Sequence, residues 1–293
     1  MLTRTVSSPS WRIWALEIDL CASGVSVRAT QSSERQRTVS SFAGLVDADA
    51  AINGDFFSYA TYGTSGLAVG QGDPWEDTAD GDGYGFVVFG NDRAEIKLPG
   101  SHIAAADAWM QQLVSGRRRL VDEGVPMESD GSELCDARHP RTSAGMSQDG
   151  RTLYLAVVDG RTTVSVGMTC PELGTLMAGL GAWSAINLDG GGSTTMWVGG
   201  EGVVNSPSDG AQRVVGNHLG IFASGTGDPG SCNRSWEEST VHGDAYDAST
   251  SSDVDGDGDL DIVTFSNDWQ LIRFAERQGL MWANFAEAEL EAA

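Results

Sequence analysis

The sequence predicts an α+β fold: a mixed β-sheet with a few packed helices, then a linker and a short β-type segment carrying a calcium loop. Three observations lead there. Short apolar runs alternate with glycine turns from Ile13 to about Ser224, one helix start carries a full capping signature, and the composition shifts abruptly after Ala223.

The apolar runs IWALEIDL, VSVRAT, DAAIN, GFVVFG, AEIKL, TLYLAVVD, SAINLD and HLGIFA have the length and residue types of strands. Two segments read as helices. Ala104 to Val114, AAADAWMQQLV, is made of good helix formers. Pro171 to Leu180 follows Thr169, with Glu172 at the capping-box spacing. LYLAVVD (153–159) and SAINLD (184–189) flank that second helix as near-continuous apolar runs, so the order reads as a βαβ unit with parallel strands. Asp159-Gly160-Arg161 and Asp189-Gly190-Gly191 then both lie at carboxyl ends of strands in one sheet, the edge that ligands favour.

Residues 1–224 are expected to form one domain, 225–251 a linker rich in Gly, Ser, Thr and Asp, and 252–293 a separate segment. In that segment Asp253, Asp255, Asp257, Asp259 and Asp261 alternate along DVDGDGDLD. Carboxylates at this spacing can converge on calcium, which takes several oxygens. The start matches an EF-hand, but Thr264 stands at the twelfth position and IVTF looks like strand, so the loop sits in a β context. It resembles a single FG-GAP or VCBS repeat, whose aspartate loop binds calcium.

The formal net charge of −23, from 18 basic and 41 acidic residues, argues against nucleic acid as a partner. No window approaches the roughly 18 apolar residues of a membrane span, and the N-terminal residues lack the pattern of a signal peptide. Cys21, Cys135, Cys170 and Cys232 form no CxxC pair, and their number and spacing suit one or two disulfides in an extracytoplasmic protein. Three pairings are open, and the sequence sets no oligomeric state.

The stretch AINLDGGGSTTMW places three glycines directly after Asp189. A P-loop would need a lysine after Gly192, and a nucleophile elbow a glycine where Thr195 stands. What remains is a backbone nest for an anion, with Ser193, Thr194 and Thr195 as further donors. Other polar clusters stand beside apolar runs in the same way: Asn53-Gly54-Asp55, Arg138-His139-Pro140-Arg141-Thr142 and Asn217-His218. Arginine suits phosphate, and paired carboxylates suit glycosidic cleavage.

NGDFF, RHPRTSAGMSQDGRTLYLAVVDGR, NLDGGGSTTM and VVNSPSDGAQRVVGNHLGIF, in this order, closely resemble the phosphodiester glycosidase family over about Trp14 to Ala223. The resemblance implies hydrolysis of the glycosidic bond of a sugar 1-phosphodiester, such as an N-acetylglucosamine 1-phosphodiester, with no catalytic cofactor. It implies site roles for Asn53, Asp55, Arg138, His139, Arg141, Thr142, Asp159, Arg161, Asp189, Gly190, Gly191, Gly192, Ser193, Thr194, Asn217 and His218. Arg138 or Arg141 is expected to hold the phosphate, with Asn53 and the Gly190-to-Ser193 backbone on phosphate or sugar oxygens. Asp189 and Asp159 are the candidates for acid and for nucleophile or base, and His218 is an alternative acid. The competing reading is a phosphoglycan-binding or adhesion module without turnover.

Overall fold

The computed structural model describes residues 2–7, 10–79, 81, 83–100 and 103–223, together with the backbone of four C-terminal strands. The chain divides into two compact units, Met1–Arg234 and Ser235–Ala293.

In the first unit the strands run β1 (Leu2–Ser7), β2 (Ser10–Asp19), β3 (Ser26–Ala29), β4 (Ala50–Asn53), β5 (Val69–Gly70), β6 (Asp73–Pro74), β7 (Tyr84–Phe89) and β8 (Ala94–Lys97). They continue with β9 (Gln112–Asp122), β10 (Val125–Pro126), β11 (Arg141–Met146), β12 (Thr152–Val158), β13 (Ser184–Asn187), β14 (Met196–Val198), β15 (Gly202–Val203) and β16 (His218–Phe222). The helices are α1 (Val39–Val46), α2 (Glu133–Asp136) and α3 (Cys170–Gly179). A large sheet has the order β1-β2-β12-β11-β13-β9-β5-β6, with β7 and β10 also on β9 and β8 on β7, and a second sheet has the order β15-β14-β4-β16-β3.

Alternation along each strand sorts its side chains between layers. Leu153, Leu155 and Val157 of β12 join Ile52, Leu219 and Ile221 of the second sheet in one core. Tyr154, Ala156 and Val158 face the other way and pack with Leu173 and Met177 of α3. Ala51 of β4 packs with Val39, Phe42 and Ala43 of α1. The unit is therefore a sandwich of two sheets with α3 on one outer face and α1 on the other.

This layering corrects the expected βαβ unit. Strands β12 and β13 do point the same way, but β11 lies between them and pairs antiparallel with both, Arg141 opposite Val158 and Ser143 opposite Asn187. The apolar runs that suggested a parallel sheet arise because both faces of this antiparallel sheet are covered.

Helix α3 forms as read, with the reciprocal Thr169–Glu172 capping box. The expected helix over 104–114 does not form. Its last three residues instead enter β9, the longest strand, where Leu113 and Val114 are fully buried on opposite faces. Packing of those two side chains outweighs the helix preference of the alanines before them, which is marginal in so short a segment. Helix α1 was not anticipated, because VSSFAGLV contains few strong helix formers. It is held by the Thr38 cap, whose side chain accepts from the Ser41 amide, and by its buried face.

Cys135 and Cys170 form a disulfide that ties α2 to the start of α3, and no described cysteine is free. No helix among the described residues is long and apolar enough to cross a membrane. The second unit contributes an antiparallel sheet of β17 (Ala248–Ser252), β18 (Asp261–Ser266), β19 (Leu271–Ala275) and β20 (Glu287–Glu289). Asp261 opens β18, while Asp253, Asp255, Asp257 and Asp259 lie outside the described residues. Among the described residues no group of three or more His, Cys, Asp or Glu converges as a metal site.

Candidate active site

The polar clusters meet at one edge of the sandwich. The antiparallel insertion of β11 brings its first residues between the last residues of β12 and β13, so Asp159 and Asp189 flank the Pro140–Arg141 start of that strand. Gly160 and Gly190 show how closely: a Cβ on Gly160 would lie 2.6 Å from the Pro140 nitrogen, and one on Gly190 2.7 Å from the Pro140 carbonyl oxygen. The second sheet supplies Asn53 and Asp55 from the end of β4 and Asn217 and His218 from the start of β16.

Asn53 joins the two sheets. Its Nδ2 donates to the Asp189 carbonyl at 2.7 Å, while its Oδ1 accepts from Thr142 Oγ1 at 2.8 Å and from the Thr195 amide at 3.1 Å. Asp55 is 1% exposed and accepts from the Ser115 amide and from Asn217 Nδ2, both at 2.8 Å. Burial nonetheless pushes its carboxyl well above the usual range. Asn217 Oδ1 accepts from the amides of Thr30 and His218. These side chains are a scaffold behind the strand ends. The expectation that Asn53 contacts phosphate or sugar is corrected, because both of its polar atoms are taken up inside the protein.

His218 belongs to the same scaffold. It is fully buried, stacks on Phe42 at 4.7 Å, and has Nδ1 on Thr30 Oγ1 and Nε2 on the Arg37 carbonyl. A carbonyl only accepts, so Nε2 carries the proton and Nδ1 accepts from the threonine hydroxyl. Burial pushes this imidazole down to about 4. With both nitrogens committed and the ring neutral, it is not placed as an acid.

The expectation for Arg138 and Arg141 is also corrected. Arg141, 1% exposed, spends its guanidinium on the Met168, Leu134 and Ala137 carbonyls, and burial lowers it to about 10. Arg138 forms an ion pair with Glu172, the capping residue of α3. Three carbonyl partners and near-complete burial keep Arg141 from a phosphate, while Arg138 stands at the start of α3 beside its capping residue. His139 forms an isolated bridge with Met168; its pKa is lowered by burial and by Arg141 and Arg161.

Arg161 and Arg213 stand over the glycines instead. Arg161 has a left-handed backbone, φ 63°, and a Cβ on Gly191 would come within 3.0 Å of its Nη2. Arg213 donates from Nη1 to Ser193 Oγ at 3.2 Å and pairs with Asp209, whose Oδ2 receives Nη2 at 2.6 Å. A Cβ on Gly192 would overlap the ends of both Arg213 and Asp209. Gly191 itself has φ 62°, which glycine adopts without strain. Each glycine thus answers a separate demand, from a backbone carbonyl, from a left-handed turn and from a charged side-chain pair. Sequence reading missed Arg213 because its pattern, four residues after Asp209 in SPSDGAQR, resembles an ordinary surface turn.

Asp189, partly exposed, accepts from the Gly190 amide at 2.9 Å. Burial pushes its carboxyl up to about 6, against the opposing pull of Ser193, Gly190 and Arg213. Asp159 is 3% exposed and raised by burial, while its Oδ1 accepts from the Ser206 amide at 2.9 Å and Asn205 Nδ2 at 3.2 Å. Asn205 also donates to the Thr194 carbonyl at 3.1 Å and so ties Asp159 to the far side of the glycine turn. Thr194 and Thr195 are buried, each with a hydroxyl that has no protein partner.

The glycines make a prediction. Gly190→Ala should destabilise by about 1–3 kcal/mol, because its methyl group meets backbone that cannot step aside. Gly192→Ala should fold with little loss, because it meets the movable ends of Arg213 and Asp209, but should weaken anion binding. Thermal unfolding and a phosphate titration of the two variants would separate these effects; equal destabilisation would refute the distinction.

At its strand ends the two-sheet α+β sandwich gathers two carboxyls, a glycine turn and two arginines. The chain belongs to the phosphodiester glycosidase family, whose model matches residues 47–222. Its fold is similar to the catalytic domain of zebrafish N-acetylglucosamine-1-phosphodiester alpha-N-acetylglucosaminidase, auto-inhibited by its pro-peptide, with a TM-score of 0.60, 23% identity, and 75% and 80% of the two chains covered. A hypothetical protein from Synechocystis is similar at a TM-score of 0.55 and 16% identity, covering 75% of this chain and 61% of that one. The uncharacterized SPbeta prophage-derived protein YomE of Bacillus subtilis strain 168 is 36% identical over 104 residues, which are 35% of this chain and 16% of that protein.

Proposed function

We propose that this chain hydrolyses the glycosidic bond of a sugar 1-phosphodiester of the N-acetylglucosamine 1-phosphodiester kind, releasing free sugar and a phosphomonoester. The observation that carries the reading is Asp189, a carboxyl pushed up to about 6 beside a glycine turn on which Arg161 and Arg213 converge. A carboxyl so poised holds a proton in mildly acidic solution and can give it up. The guanidiniums receive the phosphate, and the expected backbone cradle narrows to Gly192, because the Gly190, Gly191 and Ser193 amides donate to Asp189 Oδ1, the Pro140 carbonyl and the Gly190 carbonyl.

In this assignment Asp189 delivers its proton to the departing phosphate oxygen as the C1–O bond breaks. Water forms the new bond to C1 and gives its proton to Asp159. The two aspartates follow β12 and β13, with the start of β11 between them. Phosphate is already a good leaving group, so the anion seat carries much of the stabilisation.

The test is release of free sugar from a glycosyl 1-phosphodiester set against simple glycosides. Cleavage of the diester alone supports the reading; binding without release would favour a phosphoglycan-binding module. The Cys135–Cys170 disulfide supports an extracytoplasmic setting. On sequence alone, Asp253, Asp255, Asp257, Asp259 and Asp261 form a calcium loop apart from this chemistry. Calorimetric titration of the full chain with calcium should give saturable heat, and its absence would remove the assignment.

A further inference from the structure

Tyr59 is 65% exposed, more than any other large hydrophobic side chain among the described residues. The loop that carries it is a built one. The Ser58 amide donates to the Gly63 carbonyl at 2.9 Å, the Tyr62 amide to the Ser58 carbonyl at 2.7 Å, and the Ser65 amide to the Phe56 carbonyl at 2.7 Å. Tyr62 adopts a left-handed backbone, φ 57°, at a cost that a side chain other than glycine ordinarily avoids. Phe57 stacks on Tyr62 at 5.5 Å and meets Tyr59 tilted at 5.1 Å. At Gly216 a Cβ would come within 2.6 Å of the Tyr62 carbonyl oxygen and 3.0 Å of Phe57 Cβ, so this glycine lets the loop dock beside Asn217.

The ring held out by this loop borders the site. The Arg213 guanidinium lies 5.7 Å from the centre of the Tyr59 ring, and the same guanidinium donates to Ser193 Oγ at 3.2 Å. Ser193 closes the glycine turn that follows Asp189, whose carboxyl accepts from the Gly190 amide. Leading away from the scissile bond, the order is Asp189, Ser193, Arg213, Tyr59. A phosphate on Arg213 therefore has the carboxyl on one side and the aromatic ring on the other.

We infer that Tyr59 determines specificity on the acceptor side, stacking against the apolar face of a pyranose ring esterified to the far oxygen of the phosphate. The inference rests on the diester reading given under Proposed function. The C–H face of a pyranose is apolar and weakly positive, and the face of a phenol ring is negative, so the two attract while the sugar hydroxyls stay in water. An ethyl group at the same position offers no such face.

The experiment uses the full chain and two diesters of one glycosyl 1-phosphate, the second ester being a pyranose in one and ethyl in the other. Tyr59→Ala should lower kcat/KM for the pyranose diester roughly 3- to 10-fold, mostly through KM. The ethyl diester should change less than about twofold, and Tyr59→Phe should keep the preference. Equal losses on both diesters, or none on either, would overturn the inference. If the wild-type chain cleaves neither diester, the glycosidase reading fails separately, and calorimetric titration with a pyranose 6-phosphate then decides. Weaker binding by Tyr59→Ala, with inorganic phosphate unaffected, sustains an acceptor subsite, and unchanged binding removes it.

Discussion

Asp189→Asn is expected to lose sugar release by roughly 10²- to 10⁴-fold, the range typical of a lost general acid, while making the protein more stable at neutral pH. The two effects share one cause. Burial raises this carboxyl from 3.8 to about 6, so folding favours the protonated form and ionisation costs stability. Below pH 3.8 the carboxyl is protonated in both folded and unfolded chains and nothing is lost. As pH rises from there through about 6, the unfolded chain gives up its proton first, and the folded state is penalised by up to roughly 3 kcal/mol. Asparagine is neutral throughout, keeps an oxygen for the Gly190 amide, and removes that pH dependence. Activity should decline as pH rises through about 6 in the wild type, because the acid then lacks its proton. Measurement of kcat/KM against pH, with denaturant unfolding at pH 4 and pH 8, checks both halves. A folded Asp189→Asn that turns over normally would remove the residue from the chemistry.

The fold was legible where one-dimensional pattern and three-dimensional burial coincide. The Thr169–Glu172 box marked α3 because capping is local, and LYLAVVD and SAINLD marked strands because both of their faces are covered. Pattern could not show that β11 slips between them: an antiparallel insertion leaves the apolar signal of its neighbours unchanged. Nor could it show that AAADAWMQQLV forms no helix and enters a strand at Gln112, where Leu113 and Val114 are claimed by the two faces of a sheet. In the site, the Asp159, Asp189 and glycine motifs came to one edge because each ends a strand of the same sheet. The arginines were misjudged for a physical reason. A guanidinium within a motif gives no sign of whether its donors point to carbonyls or to the site, and Arg141 has three carbonyl partners while Arg213, in an unremarkable turn, pairs with Asp209 and reaches Ser193 beside the glycines.

Asn53→Ala should be the most destabilising single change at this edge, by about 3–5 kcal/mol. The side chain is fully buried, and its removal strands three groups at once: the Asp189 carbonyl, the Thr142 hydroxyl and the Thr195 amide. A buried polar group left without its partner costs about 1–3 kcal/mol, and the cavity adds to this. Solvent can relieve the Asp189 carbonyl more readily than the other two, because Asp189 is partly exposed, so the sum falls short of three full penalties. Asn53→Asp distinguishes the contributions. It retains an acceptor for Thr142 and Thr195 but turns a second oxygen toward the Asp189 carbonyl, replacing attraction by repulsion in a buried place. Both variants should lose activity beyond what their stability explains, since the bond they break fixes the backbone from which the Asp189 carboxyl projects. Denaturant midpoints, compared with turnover under conditions where each variant is fully folded, test this. A loss below about 1 kcal/mol for Asn53→Ala would mean that the two sheets are joined here by packing alone, and that Asn53 does not hold the Asp189 backbone in place.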